Sequence, residues 1–229
     1  MCSSDLFSDA ARGAGAQRSD IRTRLGVRDE SPLVLYAAKF QARKRPADLL
    51  RAAALLQQDG VPFHLVMVGS GEQEAELREL SSSLGLANVH FPGFVNQSAL
   101  PGIYAASDVL VLPSENEPWG LAINEAMCAD LPIIASEEVG CVRDLVKDGV
   151  NGRTFPAGNV PALAGAMRAV LWDGSALKRM GAASREIISH WSYAECREGL
   201  RTALKAIGVR EKLSRLETAG ATAPDGPVR

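Results

Sequence analysis

Short apolar runs alternate with longer amphipathic segments from Leu33 onward. A continuous apolar run bounded by turn residues is typical of a strand buried on both faces, whereas apolar residues spaced three and four apart predict a helix. The predicted strands are Leu33–Ala38, Phe63–Val68, Val89–Phe91, Asp108–Leu112, Pro132–Ala135 and Gly152–Phe155.

The segments around these strands have helical spacing. The predicted helices are Ile21–Leu25, Pro46–Gln58, Glu72–Leu84, Ser98–Ala105, Leu121–Cys128, Val142–Lys147, Asn159–Leu171, Ala176–His190 and Tyr193–Ile207. This alternation predicts an α/β fold: a Rossmann-like, doubly wound parallel sheet of about six strands with helices on both faces, followed by C-terminal helices. In such sheets the ligand binds at the carboxyl ends of the strands, at a topological switch point.

Both ends of the chain lack this regular pattern. Residues 1–30 are small, polar or charged, and we expect a linker or a non-native N-terminal segment, because Cys2–Leu6 matches what a sequencing adapter encodes in one reading frame. We expect one domain over residues 31–208, then a helix end and a disordered tail over residues 209–229, because the chain from about Glu217 onward is rich in Ala, Gly and Pro.

Composition narrows the class of protein. The 229 residues are 46% hydrophobic and 23% charged, which is typical of a globular chain with a large core. With 25 Lys and Arg against 27 Asp and Glu, the net charge of -2 argues against a nucleic-acid-binding protein. Because no apolar run approaches the length of about 20 residues that spans a membrane, and no signal peptide is visible, we expect a cytoplasmic protein. The many Ala and Arg codons favour a bacterial source.

The cysteines and histidines give no metal-binding pattern. They are Cys2, Cys128, Cys141, Cys196, His64, His90 and His190. None forms a C-x-x-C pair and the histidines lie far apart in sequence, so we expect no cluster among them and no metal site.

Four cations follow the first predicted strand: Lys39, Arg43, Lys44 and Arg45. At the carboxyl end of a parallel strand, they favour a phosphate or diphosphate ligand, whose charge they would neutralise. The alternative is a solvated basic turn.

Two further loops are candidates for contact with a ligand. Gly69 and Gly71 follow the second strand and permit close approach of backbone to a ligand, but Glu74 stands where a dinucleotide fingerprint requires a third glycine. Phe94 lies in the apolar loop after the third strand and is a candidate wall for a flat ring. A tight turn and a packed loop are the alternatives.

The segment after the fourth strand carries the strongest signal. Glu117 lies in the loop, and Glu125 follows eight residues later on a predicted helix, among small and apolar neighbours. Carboxylates accept hydrogen bonds from vicinal hydroxyls of ribose and pyranose rings, and the free N–H groups of a helix N-terminus favour an anion. The alternative is a capping acid and a surface glutamate. Cys141, in the next loop, is interpreted as a packing residue rather than a nucleophile.

These motifs, in this order, resemble family 4 retaining glycosyltransferases of GT-B fold, from about Leu33 to Ala206. The family's E-x7-E motif corresponds to Glu117 through Glu125, and its Arg…Lys pair to Lys39 and Lys44. Its Gly-x-Gly corresponds to Gly69 and Gly71, and its V-x-F-x-G-F segment to residues 89–94. The sequence departs from the pattern at Lys39, where Arg is usual, at Trp119, where Phe is common, and in the altered Gly-Gly turn at residues 140–144.

The resemblance implies that this is the C-terminal, nucleotide-sugar-binding domain, with the N-terminal acceptor domain absent. Lys39 and Lys44 would bind the donor diphosphate and stabilise the leaving group. Glu125 would bind the ribose, and Gly69, Gly71 and Phe94 would surround the nucleoside. Glu117 and the backbone of Trp119, Gly120, Leu121 and Ala122 would hold the transferred sugar.

The implied donor is a UDP- or GDP-linked sugar, transferred to a glycan or glycolipid in polysaccharide biosynthesis without a cofactor or metal. We expect a fragment that is inactive alone, which in the full enzyme could associate peripherally with a membrane. One alternative is a stand-alone nucleotide-sugar-binding module or subunit that pairs with a separate acceptor-binding chain. A sugar-nucleotide epimerase is a third interpretation, which the E-x7-E spacing disfavours.

Overall fold

The computed structural model describes Gly13 and residues 17–206. The predicted non-native start and the tail at 209–229 lie outside the described residues. The strands are β1 (Leu33–Ala37), β2 (His64–Val68), β3 (Val89–Gly93), β4 (Val109–Leu112), β5 (Ile133–Ser136) and β6 (Gly152–Phe155). They form one parallel sheet in the order β3-β2-β1-β4-β5-β6, which confirms the predicted doubly wound α/β fold.

Helices connect the strands and follow the last one. They are α1 (Arg18–Arg24), α2 (Pro46–Gln58), α3 (Glu74–Ser83), α4 (Leu100–Ala106), α5 (Leu121–Cys128), α6 (Val142–Leu145), α7 (Val160–Leu171), α8 (Gly174–Ser189) and α9 (Tyr193–Ala206). Pro46–Gln58, Leu121–Cys128 and Gly152–Phe155 match the predicted bounds. Helix α1 begins three residues before the predicted turn. Helix α9 belongs to a separate unit that begins at His190.

The sheet lies between two apolar clusters, which explains why β1 is a continuous apolar run. Val34 and Tyr36 pack in the cluster with α2, α3 and α7, whereas Leu33 and Leu35 pack in the cluster with α4, α5 and α6. All four side chains are fully buried. Within the described chain no helix is long and apolar enough to cross a bilayer.

Helix α1 is attached to the amino-terminal edge of the sheet through one carboxylate. Asp108 Oδ1 lies 2.6 Å from Arg18 NH2, and Asp108 Oδ2 lies 3.0 Å from Arg22 NH1. The same Oδ2 accepts a hydrogen bond of 2.8 Å from the backbone N–H of Leu33. Arg22 is buried, so this ion pair is shielded from solvent. Val27 beyond the helix is buried in the same cluster as Leu33.

Two histidines meet at this edge, so the expectation that none of them clusters is wrong. His64 begins β2 and His90 lies in the neighbouring β3, which brings the two rings to a stacked distance of 5.2 Å. His64 Nδ1 lies 2.9 Å from His90 Nε2, and His64 Nε2 lies 3.3 Å from Asp29 Oδ1. Strand register, which the linear sequence does not display, causes the contact. The described residues contain no group of three or more side chains suited to a metal ion.

This contact makes folding stability depend on pH. Burial, and then the neighbouring His64, lower the pKa of His90 below its ordinary value of 6.5. The unfolded chain therefore takes up the proton more readily, and stability is lost as pH falls through 6.5 toward the folded-state pKa. We expect His90→Gln to reduce the loss of unfolding free energy between about pH 7.5 and about pH 5.5, measured by chemical denaturation.

His190→Gln is the matched control, because it removes an exposed histidine. An unchanged pH dependence in His90→Gln, or an equal change in both variants, would contradict the assignment.

Candidate functional site

The loops that follow β1 and β4 meet at the carboxyl edge of the sheet. These two strands are neighbours, and the chain continues from them toward opposite sides, which makes their boundary the switch point. The backbone N–H of Glu115, after β4, donates to the carbonyl oxygen of Arg43, after β1, at 2.7 Å. The predicted cationic loop and the predicted glutamate loop are therefore joined directly.

A cluster of opposite charges lies where these loops meet. Lys44 Nζ forms an ion pair and hydrogen bond with Glu117 Oε2, and Arg43 NH1 lies 3.5 Å from the same oxygen. The side chains of Lys44 and Glu117 are only 13% and 11% exposed, whereas that of Arg43 is half exposed. Two cations thus face one carboxylate in a partly dry setting, which favours an added anion.

Arg45, which the sequence grouped with these cations, has a structural role. Its Nε lies 2.7 Å from Asp48 Oδ2, and its NH1 lies 2.6 Å from Glu115 Oε2. Arg45 also has a left-handed backbone, with φ of 50°, where the loop turns into α2. Its guanidinium holds the two loops together, whereas Lys39, Arg43 and Lys44 remain the candidate cations for a ligand.

Tyr36, on β1, holds the start of the cationic loop by a hydrogen bond. Its buried hydroxyl donates to the carbonyl oxygen of Lys39 at 3.1 Å. Burial, and then the negative charge of Glu117, raise the pKa of Tyr36, so the phenol keeps its proton and remains a donor. The direction of the Lys39 backbone is therefore fixed by the core.

A cavity of about 480 Å³ opens beside this cluster. Five of the predicted site residues line it: Lys39, Gly69, Gly71, Phe94 and Glu125. The other lining residues, which the sequence reasoning did not select as site residues, are Ala37, Ala38, Gln41, Val68, Ser70, Val95, Leu100 and Tyr104. Lys39 and Glu125 bring one cation and one carboxylate to a largely apolar wall, and such a mixture suits a small organic anion.

Glu125 is held by a hydrogen bond from α4. The hydroxyl of Tyr104 donates to Glu125 Oε2 at 2.8 Å. Burial raises the pKa of Glu125, and the hydrogen bond from Tyr104 opposes that rise because it stabilises the ionised form. The sequence analysis missed Tyr104 because an aromatic residue on an amphipathic helix predicts core packing. The spacing of residues does not show which group the buried hydroxyl would contact.

Glycine lets the loop after β2 pack tightly under the cationic loop. A Cβ on Gly71 would lie 2.5 Å from the carbonyl oxygen of Phe40, closer than any side chain tolerates. Gln73 N–H also donates to that oxygen at 3.2 Å. The two glycines predicted to approach a ligand therefore also bring the β1 and β2 loops together at the cavity wall.

The start of α5 lies outside this cavity. Within the described chain, the cavity lining includes neither Glu117 and Lys44 nor the residues Trp119, Gly120, Leu121 and Ala122. Trp119 Nε1 donates to Asn124 Oδ1 at 3.0 Å, and Leu121 is 67% exposed. The predicted site residues thus divide between the cavity and an adjoining region built from the charge cluster and the α5 N-terminus.

The loop after β5 supports the glutamate loop. The backbone N–H of Glu117 donates to the carbonyl oxygen of Glu138 at 3.2 Å, and Gly140 N–H donates back to Glu117 O at 2.9 Å. Cys141 follows Gly140 in this loop. Burial raises the pKa of Cys141 to about 12, so its thiol stays protonated at neutral pH. This agrees with Cys141 as a packing residue.

Known proteins resemble this chain in sequence and in fold. The family model described as "Glycosyl transferases group 1" matches residues 17–187, which include both halves of the site. The chain belongs to this family.

Two curated relatives show how much of such a protein is present. Over 178 residues this chain is 33% identical to alpha-D-kanosaminyltransferase of Streptomyces kanamyceticus, covering 77% of the chain and 45% of the relative. Over 201 residues it is 32% identical to D-inositol 3-phosphate glycosyltransferase of Nocardia farcinica, covering 84% and 44%. The chain spans less than half the length of either relative.

Solved structures share the fold. Sucrose-phosphate synthase of Thermosynechococcus elongatus has a TM-score of 0.69 at 30% identity, over 82% of this chain and 49% of that protein. HepE of Anabaena, solved in complex with UDP-glucose, has a TM-score of 0.72 at 27% identity, over 83% and 53%.

The close approach at Gly140 can be tested by adding one methyl group. A Cβ at Gly140 would overlap the carbonyl oxygen of Pro118, so Gly140→Ala must push the β4 and β5 loops apart. We expect it to lower the unfolding free energy by about 1–3 kcal/mol, measured by chemical denaturation. Gly165→Ala, on α7 with nothing within 4 Å of the added carbon, is the control and should stabilise by up to about 1 kcal/mol. Equal effects of the two would contradict the tight contact.

Proposed function

We propose that this chain is the donor-binding half of a retaining glycosyltransferase that uses a UDP- or GDP-linked sugar. The observation that carries the proposal is the 480 Å³ cavity at the switch point, with Lys39 and Glu125 in its lining and the Lys44–Glu117 cluster beside it. A nucleoside diphosphate has both an anion and a vicinal diol, which call for a cation and a carboxylate. The complex of HepE with UDP-glucose supports this choice of ligand class.

In this proposal each site residue has a role that suits its position. The nucleoside would occupy the cavity, between Phe94 and the glycine loop of Gly69 and Gly71, with its ribose hydroxyls donating to Glu125. The diphosphate would extend from Lys39 toward Lys44, and the sugar would lie beyond it, near Glu117 and the first N–H groups of α5. A helix N-terminus and two lysines stabilise the same negative charge without a metal.

Catalysis would consist of stabilising the departing group. In the proposed reaction the bond between the sugar C1 and the diphosphate oxygen breaks, and the electron pair leaves with the nucleoside diphosphate. The oxygen of an acceptor hydroxyl then bonds to C1 on the same face, and its proton passes to the departing diphosphate oxygen. Lys39 and Lys44 would neutralise the leaving charge, while the carboxylate of Glu117 would stabilise the positive sugar ring.

The acceptor would be a glycan or glycolipid, held by an acceptor-binding domain that the fragment hypothesis places in a longer protein. The chain alone would then bind donor without transferring its sugar. A separate acceptor-binding chain is the alternative. The upstream reading frame distinguishes them: a continuous frame into an acceptor domain supports the fragment, whereas a separate neighbouring gene supports the two-chain arrangement.

Nucleotide binding is the first test. We expect the 229-residue chain to bind UDP or GDP weakly in isothermal titration calorimetry, because the cavity and its cation belong to this domain. Absence of heat with both nucleotides, on protein shown to be folded by circular dichroism, would count against the site.

Two glutamate variants separate the proposed roles. We expect Glu125→Ala to weaken nucleotide binding about tenfold or more, since it removes a charged acceptor from the cavity lining. Glu117→Ala should weaken it less, because Glu117 lies outside that lining. Glu79→Ala, at an exposed position on α3, is the control. If Glu117→Ala had the larger effect in the same titration, the assigned roles would be reversed.

A further inference from the structure

Tyr104 is buried as a core residue, yet its hydroxyl serves no packing purpose. The side chain is fully buried in the cluster that contains Ile103, Ile123 and Ala126. A phenylalanine would fill the same volume without the cost of burying a polar group. The feature that distinguishes tyrosine here is therefore the hydrogen bond that its hydroxyl donates to Glu125 Oε2 at 2.8 Å.

That hydrogen bond fixes the orientation of a carboxylate at the cavity wall. Glu125 lies on α5, Tyr104 lies on α4, and both line the cavity. Because α4 is packed into the core through Tyr104, the donor is rigid, and it restricts rotation of the Glu125 carboxylate. A carboxylate accepts about four hydrogen bonds, so the bond to Tyr104 leaves capacity for two ligand hydroxyls.

We propose that Tyr104 is a positioning residue that aims Glu125 at a vicinal diol, and so makes the cavity select ribonucleotides over deoxyribonucleotides. The inference rests on the proposed function, since it requires a nucleotide in this cavity. It adds a determinant of ribose selectivity that lies on a different helix from the E-x7-E segment.

The charges around the cavity favour the diol as the group that Glu125 recognises. Within the described residues, the charged or titratable side chains of the lining are Lys39 after β1, Tyr104 on α4 and Glu125 on α5. A phosphate would be repelled by Glu125 and attracted by Lys39, which orients the ligand with its sugar hydroxyls toward the carboxylate. If either ribose hydroxyl is missing, the fixed carboxylate of Glu125 loses one of its hydrogen bonds to the ligand, and binding is weaker.

The test compares ribonucleotide and deoxyribonucleotide binding to the 229-residue chain. The probes are whichever of UDP and GDP the wild-type chain binds, together with its 2′-deoxy and 3′-deoxy forms, titrated by calorimetry. We expect wild-type protein to favour the ribonucleotide by about tenfold or more, as for a hydrogen bond to a charged group. Tyr104→Phe should lower ribonucleotide affinity about two- to tenfold and leave deoxynucleotide affinity nearly unchanged.

The outcomes separate this inference from the proposed function. If the folded wild-type chain binds neither UDP nor GDP, the proposed function fails. If wild-type protein discriminates but Tyr104→Phe weakens both ligands equally, or neither, Tyr104 is only a core residue and the inference is overturned.

A pH profile gives a second readout that a merely structural role would not change. The hydrogen bond from Tyr104 lowers the pKa of Glu125, so Tyr104→Phe should raise it. Since protonation removes the acceptor, ribonucleotide affinity should begin to fall at a higher pH in the variant than in wild-type protein. Coincident profiles would contradict the inference.

If Tyr104→Phe proves unstable in thermal unfolding, a second comparison replaces it. Glu125→Gln retains an oxygen that accepts from Tyr104 and leaves no buried charge. The double variant Tyr104→Phe with Glu125→Gln should lose the ribose discrimination that Glu125→Gln alone retains. Equal discrimination by these two proteins would overturn the inference.

Discussion

The parallel pairing of β1 with β4 sets the geometry of the carboxyl edge of the sheet, where the candidate site lies. Its register, Val34 opposite Val109 and Leu35 opposite Leu110, brings together two loops that are about 70 residues apart in sequence. Grouped cations repel one another, and the carboxylates of the β4 loop offset this repulsion. Without this pairing the first loop would be the solvated basic turn that its sequence alone also permits.

Opposite charges therefore lie close together at this edge of the sheet. The cavity has Lys39 and Glu125 in its lining, while the adjoining cluster combines Lys44 and Arg43 with Glu117. Close backbone contacts hold these groups on short, rigid loops, so the charges are fixed by the fold and not by flexible side chains alone. A site of this kind loses little free energy in reorganising around an anion.

Hydrophobic periodicity was sufficient to predict the fold, because strands buried on both faces must be apolar throughout. The E-x7-E segment was found by residue type and spacing, which are also linear properties. Tyr104 and the His64–His90 contact could not be found in this way, since each depends on which elements become neighbours. The structural role of Arg45 could not be predicted for the same reason. Four cations lie in one loop, and Arg45 differs from the others in its ion pairs with Asp48 and Glu115, which are visible only in the fold.

Asp108 also determines how the amino-terminal edge unfolds. Its carboxylate connects α1, through Arg18 and Arg22, with the first residue of β1. A seven-residue helix is too short to persist by itself in water. Because opening α1 would remove both counter-charges from the partly buried carboxylate of Asp108, local fraying is costly, and α1 belongs to the same cooperative unit as the sheet. Its amide hydrogens should therefore exchange with solvent on the timescale of the domain's opening and not on that of a loose end.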